Sequence, residues 1–319
     1  MSGRDERGYA QQVGVVVIGQ LGRDLVLRTD GLPQAGGSVT AETRWESLGG
    51  KGANQAVALA QLDVPVSLVG VAGDDHQGAS VLRQAGRDGI DTAAVVRRGR
   101  TALLVDIVDE SASRRLLEDI PEQSLVTVED LRQAEAVLGE ADTVSIQLQQ
   151  PAATVLAAAR RARQGAARVV ADGVPEPSLC DELLASVDVL RADAAEAELL
   201  AGGPIRTVPD ARALGHRLLA KGPGLVALAI PEVGDLLVRP DGSHLLPLSD
   251  VPVVDPTGAG DAFTAGLITG LRDGADVISA GRLASAAASA TVQRLGGRPD
   301  LSGLSEKLKG TTRRPKALP

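Results

Sequence analysis

The sequence predicts an α/β fold: a three-layer α/β/α domain with a central, mostly parallel sheet and a small β-sheet lid. Short apolar runs rich in β-branched residues alternate with longer Ala- and Leu-rich segments of helical period. Parallel strands need crossovers of about a dozen residues, and right-handed crossovers put helices on both sheet faces. Two turn-rich segments break the alternation and read as hairpins. The 319 residues, 44% hydrophobic and 23% charged, suffice for one large globular unit and exclude a disordered chain.

Strands are expected over 13–18, 66–71, 144–148, 168–171, 187–190 and 225–230. The helices between and after them fall over 53–62, 78–88, 152–163, 194–200 and 211–219. One hairpin pairs 25–29 with 39–45 around Gly31-Leu32-Pro33-Gln34-Ala35-Gly36-Gly37; the other pairs 102–108 with 114–117 around Asp109-Glu110-Ser111-Ala112-Ser113. Together they predict a lid drawn from about 20–47 and 99–118, lying over the C-terminal strand ends where α/β proteins bind ligands. The domain is expected to span 12–309, with flexible tails at 1–11 and 310–319.

Composition excludes several function classes. Trp45, Tyr9 and Phe263 are the only aromatic residues and the net charge is −8, which leaves no stacking surface for nucleic acid and repels a phosphate backbone. The basic run Arg313-Arg314-Pro315-Lys316 reads as a solvated tail, and Trp45 and Phe263 read as packing residues. A single cysteine, Cys180, permits no intramolecular disulfide and suits a reducing compartment. His76, His216 and His244 lack metal-ligand spacing. The N-terminus carries acids where a signal peptide needs bases, and no apolar run reaches the ~18 residues of a membrane span. A cytoplasmic protein without a membrane partner is the expectation.

Two glycine loops carry the chemistry. Asp255-Pro256-Thr257-Gly258-Ala259-Gly260-Asp261-Ala262-Phe263 runs into a helical pattern over 264–271. The first backbone N–H groups of such a helix stay open and, with the positive end of its dipole, make an anion site. A carboxylate beside that site, Asp261, has a use as the base that takes a proton from a hydroxyl nucleophile. The local pattern equally fits a tight turn with Asp261 as a helix cap. Gly49-Gly50-Lys51-Gly52-Ala53-Asn54 also opens an apolar helix, and it holds the chain's single asparagine and one of its 5 lysines. Those side chains suit a sugar hydroxyl and a point charge, although a plain capped loop has the same pattern. No Walker-type phosphate loop occurs.

Taken together, the two loops resemble the PfkB carbohydrate-kinase family, most closely its ribokinase branch. The resemblance runs from Val13 to about Leu304 through Gly19 and Asp24, the 49–54 loop, Gly73-Asp74-Asp75 with Gly78, and the 255–263 loop. It implies a ribokinase-like fold and ATP-dependent phosphorylation of a sugar hydroxyl, with Asp261 as base and the amides of Gly258, Ala259 and Gly260 as anion hole. It implies sugar contacts from Asp24, Gly50, Lys51, Asn54 and Asp255, and places Asp193, Thr257 and Gly260 on the nucleotide. Asp193-Ala194-Ala195-Glu196 falls where the family organises Mg²⁺ and phosphate; the same residues also read as a helix capping box. A K⁺ site would fall at Asp255, Thr257, Thr291, Arg294, Gly296 and Asp300. Lids in this family pair, and strands 25–27 and 103–105 allow a homodimer of that kind.

Four positions depart from the family pattern. Gly22 replaces a sugar-contacting Asn, Gln149 replaces a sugar-side Glu, and the Gly-Ala-Asn stretch after the lid hairpin is absent around Ile120-Pro121-Glu122-Gln123. Ala229-Ile230-Pro231 replaces a Thr-x-Gly that touches nucleotide, and Pro231 has no N–H to offer. These changes keep two alternatives open beside the kinase: a kinase-derived sugar-binding or regulatory protein with weak or no turnover, and a nucleoside kinase. The shortage of aromatic rings weighs against the latter.

Overall fold

A computed structural model describes residues 14–304. The expected tails 1–11 and 310–319, the bounds 12 and 309, Tyr9, Val13 and the 313–316 basic run lie outside the described residues.

The chain enters the central sheet through β1 (Val15–Ile18), leaves for β2 (Gly22–Arg28) and β3 (Thr43–Gly49), and returns through α1 (Lys51–Gln61) to β4 (Val66–Val69). Short β5 (Val71–Ala72) and β6 (Val96–Arg97) pair around α2 (His76–Arg87). The excursion β7 (Ala102–Val108), β8 (Arg114–Asp119) follows, then α3 (Val128–Gln133) and α4 (Glu135–Glu140). Regular alternation resumes with β9 (Thr143–Gln147), α5 (Ala152–Gln164), β10 (Arg168–Asp172), α6 (Cys180–Leu184) and β11 (Val189–Ala192). It continues through α7 (Ala194–Ala201), α8 (Val208–Leu219) and β12 (Leu225–Ile230). The hairpin β13 (Gly234–Arg239), β14 (Gly242–Pro247) and the helices α9 (Ala259–Arg272) and α10 (Val277–Thr291) complete it.

The main sheet has the order β14-β13-β12-β11-β10-β9-β1-β4, parallel from β12 to β4. The antiparallel edge β13–β14 went unread in the sequence because a short hairpin lacks the helical spacer that marks the other strands. Ile230, Pro231, Glu232 and Val233 form the turn from β12 into β13, with Glu232 at φ 61 and the Val233 N–H donating to Ile230 O at 3.1 Å. A proline at the second position of such a turn presets φ, and it needs no donor there.

Alternation across the pleat divides the core in two. Val16, Val144, Ile146, Val169 and Leu228 pack under α5 to α8, whereas Val15, Val17, Val170 and Val189 pack under α1, α2, α9 and α10. Helices therefore cover both faces, as expected of a parallel sheet. On the α1/α9 side the apolar series gives way toward the strand ends to Ser145, Gln147, Asp172 and Arg191, all buried. Polar side chains in strands covered on both faces mark where the site lies.

The two hairpins join into the second sheet, order β3-β2-β7-β8, through a parallel β2–β7 pairing. This second sheet spans 22–49 and 102–119, beside the lid expected over about 20–47 and 99–118. Trp45 departs from its reading as a packing residue: it is 47% exposed on β3, with its ring against Gly296 of the main domain. Phe263 is fully buried in the core.

Candidate active site

A cavity of about 420 Å³ opens between the lid and the C-terminal strand ends. Its floor is set by the two glycine loops. Gly258 caps α9 in the left-handed region, φ 73, and a Cβ there would lie 2.5 Å from Gly297 O. Only glycine meets both conditions. The turn leaves α9 with no side-chain cap. Ala259 N–H donates to Pro256 O at 3.3 Å, while the amides of Gly258, Gly260 and Asp261 have no backbone acceptor among the described residues. The open set of donors is therefore 258, 260 and 261 in place of the expected 258–260, because the first turn closes early on Pro256.

Asp261 sits in the first turn of α9 and is 7% exposed. Its Oδ2 accepts from Asn54 Nδ2 at 3.2 Å and its Oδ1 from Gln55 Nε2 at 3.3 Å, so residues 207 apart in sequence meet. Burial, then the nearby Asp172 carboxylate, raises its pKa to about 7; Lys51, Asn54 and Arg191 hold the rise in check. A base poised near neutrality is matched to proton abstraction. Gln55 goes further than the sequence suggested. Its Nε2 donates to Asp172 Oδ2 at 2.7 Å, and its Oε1 accepts from Ser145 Oγ at 2.8 Å, which fixes the amide between the two carboxylates.

Lys51, the first residue of α1, donates to Glu196 Oε1 at 2.7 Å. Burial alone would lower its pKa, but Asp172, Glu196 and Asp261 outweigh it and push it up to about 12. Asp24, on β2, packs over Gly49, where a Cβ would come within 1.8 Å of its carboxyl carbon. Burial, then Asp106, raises Asp24 to about 7. Gly50 and Gln149 also line the cavity.

Asp193 and Glu196 form the capping box: Asp193 Oδ1 accepts from Glu196 N and Glu196 Oε2 from Asp193 N, both at 2.8 Å. With Lys51 on its other oxygen, Glu196 is fully engaged. Asp193 lines the cavity and its Oδ2 has no hydrogen bond among the described residues. An unengaged carboxylate oxygen is a donor that fits Mg²⁺.

Asp255 is a correction to the expected sugar contacts. It is fully buried and does not line the cavity; its Oδ1 accepts from Thr257 N and its Oδ2 from Gly296 N, each at 2.9 Å. It braces the 255–261 loop against the 291–300 segment. Among the other residues assigned to K⁺, Thr291 Oγ1 donates to Ala287 O at 2.8 Å and Arg294 pairs with Asp300 at 2.9 Å. What these loops still offer a monovalent cation is backbone carbonyl oxygen and the buried, unpartnered Thr257 Oγ1.

The sequence reading missed Asp172 and Arg191. Both stand at C-terminal ends of otherwise apolar strands, and a charge there was the available signal. Arg191 Nη1 donates to Asp172 Oδ1 at 3.3 Å, and Asp172 and Glu196 hold the guanidinium well above the usual range despite its burial. A Cβ on Gly260 would lie 2.6 Å from its Nη1, so the guanidinium stacks on the open turn of α9, with its Nε unpartnered. Arg191, Ala259 and Gly260 also line a second cavity of about 260 Å³ with Ala229, Asp235 and Phe263. Pro231 lies exposed in the hairpin turn and lines neither cavity. Of the Ala229-Ile230-Pro231 departures, then, only Ala229 faces a ligand space. Gly22 is explained by crowding: a Cβ there would meet Ala102 O at 2.9 Å across β2–β7.

Two adjoining cavities that share Arg191, Ala259 and Gly260 at the start of α9 suit a phosphotransferase of the α/β kinase class. A family model described as pfkB family carbohydrate kinase matches residues 13–302. The chain belongs to that family and is an ATP-dependent carbohydrate kinase. It is 28% identical over 296 residues to the ribokinase of Haemophilus influenzae, covering 92% of this chain and 97% of that one. It is 34% identical to the ATP-dependent ribose-1-phosphate kinase of Halopiger xanaduensis, covering 90% and 94%. The structure of Arabidopsis thaliana ribokinase complexed with ribose and ATP superposes with a TM-score of 0.77 at 25% identity, covering 93% and 99%. No helix among the described residues is long and apolar enough to cross a membrane.

Proposed function

We propose that this kinase moves the γ-phosphoryl group of ATP onto a hydroxyl of a sugar held in the 420 Å³ cavity, with Asp261 as the general base. The observation that carries the reading is Asp261 itself. It is oriented by Asn54 and Gln55, raised to about 7, and set in the same first turn as the amides with no internal acceptor. The acceptor hydroxyl loses its proton to Asp261 as its oxygen bonds to the γ-phosphorus. The bond from that phosphorus to the β-bridging oxygen breaks, and ADP leaves.

Charge on the transferring group faces the amides of Gly258, Gly260 and Asp261, the dipole of the fourteen-residue α9, and Arg191. The second cavity would take the rest of the nucleotide. Asp193 is the residue that would hold Mg²⁺, which when bound would supply charge neutralisation to the phosphate groups. K⁺ would rest on carbonyl oxygens of the 255–257 and 291–300 loops, and rates in K⁺ against tetramethylammonium test this. A homodimer through the lid would cover Leu117, 62% exposed, and sedimentation tests that.

The decisive experiment is ADP release over a panel of sugars with wild type and Asp261→Asn. Acceptor-dependent ADP release lost in the variant supports the assignment. Sugar binding by calorimetry with no nucleotide affinity would instead favour a binding protein, and a nucleoside as sole acceptor would favour a nucleoside kinase.

A further inference from the structure

The acceptor end of the cavity is roofed by the lid, and its charges are paired in an uneven way. Three cations line the whole cavity, and each is already matched to a carboxylate: Lys51 to Glu196, Arg191 to Asp172, and Arg114 of β8 to Asp106 of β7. Asp24 has no such partner among the described residues. Its Oδ1 and the Oδ2 of Asp106 are buried without any hydrogen-bond partner, and both residues line the cavity with side chains at most 2% exposed. Glu118, also on β8, adds a third carboxylate to this end.

Buried acceptors left unpaired cost about 1–3 kcal/mol each, so two of them facing one cavity imply a ligand that supplies donors. An acceptor that brought its own phosphate would set two further negative charges against Asp24, Asp106 and Glu118, with no uncommitted cation there. Resting on the kinase reading above, we propose that the acceptor carries no phosphate and is a polyol or amino sugar whose end remote from the reacting hydroxyl donates hydrogen bonds to Asp24 and Asp106. Asp106 is thereby a specificity determinant supplied by the lid, and Arg114 orients it.

The test compares ribose, an amino sugar (2-amino-2-deoxyglucose) and ribose 1-phosphate as acceptors, in wild type and in Asp106→Asn, which preserves shape. Expected is a kcat/KM for an unphosphorylated compound at least tenfold above that for ribose 1-phosphate. In Asp106→Asn, the acceptor KM should rise roughly ten- to a hundredfold, with ATP affinity unchanged and with the preference against the phosphate narrowed. A higher kcat/KM for ribose 1-phosphate, or an unaltered acceptor KM in the variant, overturns the proposal. Calorimetry of the three compounds on nucleotide-free protein gives the same ranking without turnover. If nothing is phosphorylated, tighter binding of an unphosphorylated compound upholds this inference while the kinase reading fails, and tighter binding of ribose 1-phosphate sinks both.

Discussion

The acceptor half and the nucleotide half of the site are built from different materials. The proposed acceptor half holds side-chain ions: buried Asp24, Asp106, Glu196, Asp172 and Arg191, with the half-buried Lys51 and the more exposed Arg114 paired to them. The nucleotide half offers backbone amides at the start of α9 and a cavity lined by Ala229, Leu248, Val251, Val253, Phe263 and Val292, with Arg191 and Asp235 at its inner edge. Amides and shape recognise any triphosphate with little side-chain commitment. Buried ions recognise one acceptor and penalise others, because a misfit strands a charge. On the function proposed above, the difference would write specificity on the lid side and chemistry on the helix side.

The largest effect expected is from Asp261→Asn, which should lower kcat by about 10²–10⁴ while the dissociation constants of sugar and ATP change little. Pre-steady-state phosphorylation assays and calorimetry check this; unaltered turnover would remove the base from the mechanism. Next is Arg191→Met. It should cost roughly ten- to a hundredfold in kcat/KM for ATP, the value of one charge-assisted contact. Arg191 lowers the pKa of Asp261, so its loss should also shift the rising limb of the pH–rate profile to higher pH. A loss of stability with no shift of that limb would reduce Arg191 to a structural partner of Asp172.

In wild type, kcat/KM should rise through about pH 7, because the base works only when ionised and its pKa is raised to about 7. A rate flat from pH 5.5 to 8.5 would separate Asp261 from the rate-limiting step.

The smallest effect is on stability. Asp24 goes from a usual value of 3.8 to about 7 in the fold, so the native state binds its proton more tightly than the unfolded chain does. Stability from this group is then present at low pH and falls as pH rises from about 4 to 7. Asp24→Asn should therefore raise Tm at pH 8 by a few degrees, at roughly 2 °C per kcal/mol for a chain this size, with no gain near pH 4. Thermal melts at the two pH values show whether the acceptor half is stored strain or a neutral surface.

Much of this was legible in the sequence. Periodicity announced the layers, both hairpin readings fall in the second sheet, and the two glycine loops line one cavity with Asp261, Lys51 and Asn54. What was not legible depends on which way a side chain turns. Asp255 sits in the most specific motif yet faces inward to the amides of Thr257 and Gly296. Asp172, Arg191 and Gln55 sit in strand and helix positions that the hydrophobic pattern assigns to the core, and only the pleat shows that they share one face. Asp106 and Arg114 meet because β7 and β8 pair antiparallel, with Asp106 opposite Leu116 and Arg114 two residues away on the same face. Pro231 looked like a lost phosphate contact, and its true place in an exposed turn follows from a β12–β13 hairpin that no periodicity announced.

Trp45 touches Gly296, and Gly296 in turn donates its N–H to Asp255, the brace of the 255–261 loop. The chain has one indole, and it stands at the seam between the small sheet and the main domain. Its emission is thus a built-in probe of that seam: if the small sheet shifts when a sugar binds, stopped-flow fluorescence on the unlabelled protein should show a sugar-dependent phase separate from phosphoryl transfer.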